Sequence, residues 1–74
     1  MEFNAEIINT LNEWKNKNIV LKMRNIDGSR ATGRIDAIGD RYLKIIFRNG
    51  DCAYIGIDDI TFIAPIKRQP EQVI

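Results

Sequence analysis

The sequence lacks several groups on which enzymes commonly depend. It contains no histidine, the commonest general base at neutral pH and the commonest metal ligand, and only one cysteine, Cys52. A single cysteine cannot form an intramolecular disulfide or a multi-thiolate zinc site. No apolar run approaches the roughly 20 residues that a membrane-spanning helix requires. From these absences we predict a cytoplasmic protein that is not an enzyme and that uses no cofactor, metal, membrane or small-molecule substrate.

The charge of the chain is nearly balanced. Its 74 residues carry 11 Lys and Arg side chains against 10 Asp and Glu side chains, a net charge of +1. Nucleic-acid-binding domains usually carry a strong positive excess. Binding of that kind would therefore require a locally basic face or several copies of the chain.

The length allows one small domain. A chain of this size buries only about 60% of the surface that it exposes when unfolded, so its core is thin and burial between subunits would stabilise it. We predict a domain over residues 1–66 and a flexible tail over residues 67–74, which is polar in its middle and contains Pro70.

Hydrophobic periodicity changes once along the chain. After Asn4, a suitable N-cap, apolar residues recur at helical spacing at Ile7, Ile8, Leu11 and Trp14. This spacing predicts an amphipathic helix, which is too short to be stable unless it packs on an apolar surface. From residue 19 the period becomes two, which predicts β-strands.

Turn signals divide the second part of the chain into five predicted strands, at about 19–24, 30–38, 41–48, 52–57 and 60–64. Asp27-Gly28 is a turn signal, and Asn49-Gly50 predicts a two-residue hairpin. Gly33 lies inside the second strand, where a glycine lets a short sheet bend. The order predicts a mainly β fold: an N-terminal α-helix, then a five-stranded, strongly bent antiparallel small barrel of the SH3-like, Sm or OB type.

The arrangement resembles the Sm-like family, and within it the bacterial Hfq branch. The resemblance covers about residues 4–65 and rests on the N-terminal helix, the spacing of Gly28 and Gly33, the segment 33–38 and the ending 54–63. It implies an Sm-like protein that binds single-stranded RNA. In Hfq proteins a Lys-His pair before the last strand binds uridine-rich RNA at the pore of a ring. The matching positions here are Ile57 and Asp58, where an acid would repel phosphate.

Two groups of residues are candidates for contact with RNA. An aromatic or guanidinium plane beside a loop can stack on an unpaired base, and four cations on the first two strands could form a basic face if those strands pair. The alternatives are that the tyrosine packs on the barrel and that the cations are solvated beside acidic neighbours. The candidates are Arg41 and Tyr42, and Lys22, Arg24, Arg30 and Arg34.

The last two strands predict self-association. They are largely apolar on both faces, and an open strand edge pairs readily with another chain. In the Sm-like family, strand four of one subunit pairs with strand five of the next, and this head-to-tail contact closes a homo-oligomeric ring. Cys52 is expected to be a small core or interface residue. The candidate interface residues are Cys52, Tyr54, Ile55, Ile60, Phe62 and Ile63.

A second function from another class remains open. The chain could be a protein-interaction or structural small β-barrel that binds no RNA. The absence of a Lys-His pair and the net charge of +1 favour this alternative.

Overall fold

The computed structural model describes residues 3–70 as one helix and five strands. The predicted fold class is confirmed. The first strand begins later than predicted, and a short 3₁₀ turn separates the last two strands. Residues 71–74 of the predicted tail lie outside the described residues. The elements are α1 (Ala5–Asn16), β1 (Leu21–Asn25), β2 (Arg30–Ile38), β3 (Tyr42–Phe47), β4 (Cys52–Gly56), the 3₁₀ turn (Ile57–Asp59) and β5 (Ile60–Pro65).

Local hydrogen bonds define both ends of α1. The Asn4 side-chain oxygen accepts a 2.9 Å hydrogen bond from the Ile7 N–H, as an N-cap does. At the other end Asn18 adopts a positive φ of 55°, and the Ile19 N–H donates to the Trp14 carbonyl across 3.0 Å. This left-handed termination ends the helix and turns the chain into β1.

All five strands form one antiparallel sheet in the order β4-β3-β2-β1-β5. The first half of β2 pairs with β1 and its second half pairs with β3, so the sheet bends along β2. Helix α1 covers the core through Leu11. Within residues 3–70, β4 and β5 each have one unpaired edge, so the barrel is open. The core residues are Leu11, Leu21, Met23, Ile35, Leu43, Ile45, Ile57 and Ile60.

Gly33 lies where β2 changes partner. It pairs with Leu21 on one side and with Phe47 on the other. A Cβ atom at this position would lie 2.6 Å from the Ile46 carbonyl oxygen and 2.7 Å from Cγ2 of Ile45. Real Cβ atoms do not approach a backbone oxygen that closely, so only glycine fits this junction.

The β3–β4 hairpin differs from the predicted two-residue turn. The Gly50 N–H donates to the Phe47 carbonyl across 3.0 Å, and the Phe47 N–H donates to the Asp51 carbonyl across 2.8 Å. Gly50 has a φ of 90°, but Asn49 is not in the positive-φ region that a type I′ turn requires of both central residues. The loop therefore has three residues, with the glycine at a bulge after the turn. Asn49-Gly50 correctly predicted a hairpin, but the predicted loop length was wrong.

We expect Gly33→Ala to destabilise the protein. The added methyl group overpacks a backbone junction, which typically costs about 1–3 kcal/mol. Gly56→Ala is the matched control, because its Cβ would meet only the Asp59 side-chain oxygen at 2.8 Å, and that carboxylate can rotate away. Urea unfolding at one protein concentration measures both losses. Equal losses for the two variants would contradict the packing argument.

We also expect Ser29→Ala to raise the pKa of Asp27. The Asp27 carboxylate accepts hydrogen bonds from the Ser29 hydroxyl (2.6 Å) and the Ser29 N–H (2.9 Å), and these bonds hold its pKa below the usual value. The stability that this carboxylate contributes is present above its ordinary pKa and is lost as the pH falls through its lower folded pKa. The alanine variant removes the stronger bond, so the carboxylate contributes less stability and its loss is complete at a higher pH.

An NMR titration of the side-chain carboxyl groups measures this shift. Glu13 is the internal control, because Lys17 lowers its pKa by a separate hydrogen bond and attraction. An unchanged Asp27 titration in the variant would refute the role of the hydroxyl.

Candidate nucleic-acid interface

The paired strands β1 and β2 present cations on their outward face. Arg24 lies opposite Arg30, and Lys22 lies opposite Thr32, in the antiparallel register. Side chains of a strand alternate between its faces, so these residues share the outer surface while Leu21 and Met23 fill the core. Arg34 is also exposed and lies two residues beyond Thr32 on the same face. The four predicted basic residues are thus brought together.

An aromatic side chain lies beside this basic face. Phe62 on β5 is opposite Arg24, and the Lys22 ammonium group is 5.9 Å from the centre of the Phe62 ring, within cation–π range. A shallow groove of about 490 Å³, here called the Phe62 groove, lies between these strands. Its lining residues are Lys22, Met23, Arg24, Arg30, Ala31, Thr32 and Phe62.

A larger groove of about 1040 Å³ lies on the other side of Thr32, which lines both. We call it the Gln69 groove. It is bounded by the residues that follow α1, by β2, by the end of β3 and by residues 66–70. Its charged lining residues are Lys17, Arg34, Arg48 and Arg68.

The wall of this groove is held by a glutamine. The Gln69 side-chain oxygen accepts a 2.7 Å hydrogen bond from the Val20 N–H, and its nitrogen donates to the Val20 carbonyl across 2.9 Å. The same nitrogen donates to the Ile66 carbonyl across 3.0 Å. The side chain therefore ties residues 66–70 to the segment that precedes β1.

No acidic residue lines either groove. Within residues 3–70 only two ion pairs form, Lys17–Glu13 at 2.7 Å and Lys44–Asp36 at 3.2 Å. The Asp36 carboxylate hydrogen-bonds Lys44 and raises the pKa of that ammonium group. Of the groove cations, only Lys17 has a carboxylate neighbour at ion-pair distance within that range. The positive field of this face is therefore largely uncompensated.

The other predicted contacts lie elsewhere on the outer surface. The Tyr42 ring on β3 meets the Tyr54 ring on β4 edge-to-face, with their centres 5.3 Å apart. Both rings are accessible, with 47% and 64% of their surface exposed. Arg41 is exposed, and its carbonyl accepts a 2.8 Å hydrogen bond from the Ile57 N–H. The structure thus separates this aromatic pair on β3 and β4 from the grooves beside β1 and β2.

The candidate interface residues differ in how much of their surface is exposed. Ile60 has no exposed surface, so its side chain belongs to the core of one chain. Ile55 and Ile63 are half-buried against that core. Cys52 is exposed at the beginning of β4, on the outward side of the strand, so of the two expected places, core or interface, it is not in the core of one chain and its interface role stays a prediction.

Sequence reasoning did not select Lys17, Arg48 or Arg68. They lie in a helix end, a hairpin loop and the C-terminal segment, and no periodic pattern relates these places. Only the folded chain brings them to one groove. No helix of the described residues is long and apolar enough to cross a membrane.

Comparison with known proteins supports the fold. No protein-family model matches the chain, and no curated protein matches its sequence. Among solved structures, the crystal structure of the pleiotropic translational regulator Hfq is similar, with a TM-score of 0.72 and 15% sequence identity over 81% of this chain and 97% of that one. The chain therefore has an Sm-like fold that resembles Hfq.

Proposed function

We propose that the chain is a non-enzymatic, single-stranded-RNA-binding protein that acts as a homo-oligomeric ring. The observation that carries this proposal is the distribution of charge. Seven of the 11 Lys and Arg residues line the two grooves that meet at Thr32, and no acidic residue joins them. A net charge of +1 conceals this concentration.

The groove chemistry suits a sugar–phosphate backbone. Arginine presents a planar fork of donors that can hold phosphate oxygens in pairs, and each neutralised phosphate releases counterions. Phe62 offers a ring on which a base can stack, and Arg24 and Arg30 flank it for the adjoining phosphates. These groups recognise a nucleic-acid strand without requiring a particular base.

Hydrogen-bond alternation supports assembly through β4. Arg41 pairs with Ile57 and Phe47 pairs with Asp51, so the peptide groups of the odd-numbered β4 residues point toward β3. The peptide groups of Cys52, Tyr54 and Gly56 then point to the open edge. These groups can pair with the open β5 edge of another chain.

The open edge of β5 is the complementary surface. Ile66 bonds to Val20, so the alternation directs the peptide groups of Ile63 outward, and the register of β5 against β1 shifts beyond Phe62. A head-to-tail contact between β4 and β5 uses a different edge on each subunit, and repetition of such a contact can close a ring.

Two further observations support the proposal. Hfq, whose fold is similar, is a translational regulator, and regulation of translation is consistent with action on RNA. The exposed thiol of Cys52 is suited to a reducing compartment, so we propose the cytoplasm as its location.

A protein-interaction module is the second candidate. The exposed edge-to-face pair of Tyr42 and Tyr54 favours it, because aromatic side chains are enriched in protein interfaces. A chain that forms a ring but binds no RNA would support this alternative.

We expect Arg30→Ala to weaken binding of single-stranded RNA. The variant removes a charge from the Phe62 groove, so the affinity should fall several-fold and the slope of log K against log salt should decrease by about 0.7. Lys67→Ala is the matched control, because it removes one charge from an exposed residue that lines neither groove. Fluorescence anisotropy at two salt concentrations measures both quantities. Equal effects of the two variants would argue against a defined site.

We expect Tyr54→Pro to break the ring and Tyr54→Ala to leave it intact. Both variants remove the aromatic side chain, but only proline removes the N–H that points to the open edge. Proline is tolerated on an edge strand, so each chain should still fold. Light scattering after size-exclusion chromatography gives the mass, and circular dichroism checks the fold. A ring-sized mass for the folded proline variant would contradict pairing through β4.

A further inference from the structure

The C-terminal segment 66–70 contributes directly to the basic surface. Gln69 accepts from the Val20 N–H and donates to the carbonyls of Val20 and Ile66, so one side chain bridges the two backbone segments beside the Ile66 N–H bond to Val20. Arg68, the residue before it, lines the Gln69 groove, whereas Lys67 does not. The segment therefore positions one of its two consecutive cations toward the groove.

We propose that the Gln69 groove binds the continuation of the RNA backbone that occupies the Phe62 groove, with Arg68 and Arg48 as phosphate contacts and Gln69 as the residue that positions Arg68. This inference rests on the proposed function. It extends the site to residues of the C-terminal segment and of the β3–β4 loop.

Three features favour a chain of phosphates over one compact anion. The groove volume of about 1040 Å³ exceeds the need of a single phosphate group. Its four cations come from four separate segments of the chain, so they surround an extended space. Thr32 lines both grooves, which makes the basic surface continuous across β2. A strand of nucleic acid repeats its charge along such a path.

Gln69 has a role that charge alone does not explain. Its amide group satisfies Val20 and Ile66 at the same time, which fixes the segment against the chain that leads into β1. Gln69→Ala keeps every charge but releases this attachment. Arg68 then loses its fixed position. RNA binding must order this side chain again, and the lost conformational entropy weakens the affinity.

The test compares Arg68→Ala, Arg48→Ala and Gln69→Ala with the control Lys67→Ala. Anisotropy is measured with a fluorescent single-stranded RNA of about 12 nucleotides, long enough for an extended site. We expect each arginine variant to weaken binding about three- to tenfold. We expect each to reduce the salt slope by about 0.7. Gln69→Ala should weaken binding while the variant remains folded, and Lys67→Ala should have the smallest effect.

Two further measurements separate the possible outcomes. With an RNA of about 4 nucleotides, which fills one groove only, the Arg30→Ala effect should persist and the Arg68→Ala effect should shrink. Uridine monophosphate alone should bind far more weakly than the longer RNA. Equally tight binding of the mononucleotide would overturn the inference, because the groove would then be a small-molecule pocket.

The inference and the proposed function can fail separately. If Arg30→Ala weakens RNA binding but Arg68→Ala and Arg48→Ala match Lys67→Ala, the Gln69 groove is not on the RNA path and the inference is overturned. If the unaltered protein binds neither RNA, the proposed function fails and the inference falls with it.

Discussion

The close approach of two backbones at Gly33 is the constraint on which the structure depends. This residue pairs with β1 on one side and with β3 on the other, at the point where β2 turns from one partner to the next. A larger residue would separate β2 from the Ile46 carbonyl. The bend lets a sheet of short strands curve around eight buried residues, which is a small core for a chain of this length.

Sequence patterns predicted the elements because local and global preferences agree along this chain. Helical spacing from Ile7 to Trp14 and alternation in the strands each bury one face, so periodicity alone indicates the fold. Gly33 was recognisable as the site of a bend because a glycine inside a strand weakens it locally and lets the sheet bend. The hairpin at Asn49-Gly50 was predicted with the wrong loop because Asn49 does not adopt the backbone conformation of a two-residue turn.

The candidate site was less predictable than the fold. Lys22, Arg24, Arg30 and Arg34 were recognisable because two paired strands and a shared face follow from alternation. Arg48 and Arg68 were not, because their position depends on how a loop and the C-terminal segment pack against the end of α1. The attachment of Gln69 to Val20 joins residues 49 positions apart, and no local pattern encodes such a pair. The composition was also a poor guide to nucleic-acid binding. A chain whose total charge is nearly balanced can still collect its cations on one face.

The C-terminal segment has a consequence for the solubility of the protein. An open strand edge is a template on which misfolded or neighbouring chains add, and sheet proteins protect such edges. Gln69 covers the Val20 N–H and carbonyl on the side of β1 that faces β5, and Pro65 has no N–H to offer at the end of β5. On the β5 side these two residues restrict the accessible edge to a short stretch around Ile63. A fibril needs a long, continuous ladder, whereas a closed assembly needs only a short one, so the segment discriminates against uncontrolled growth.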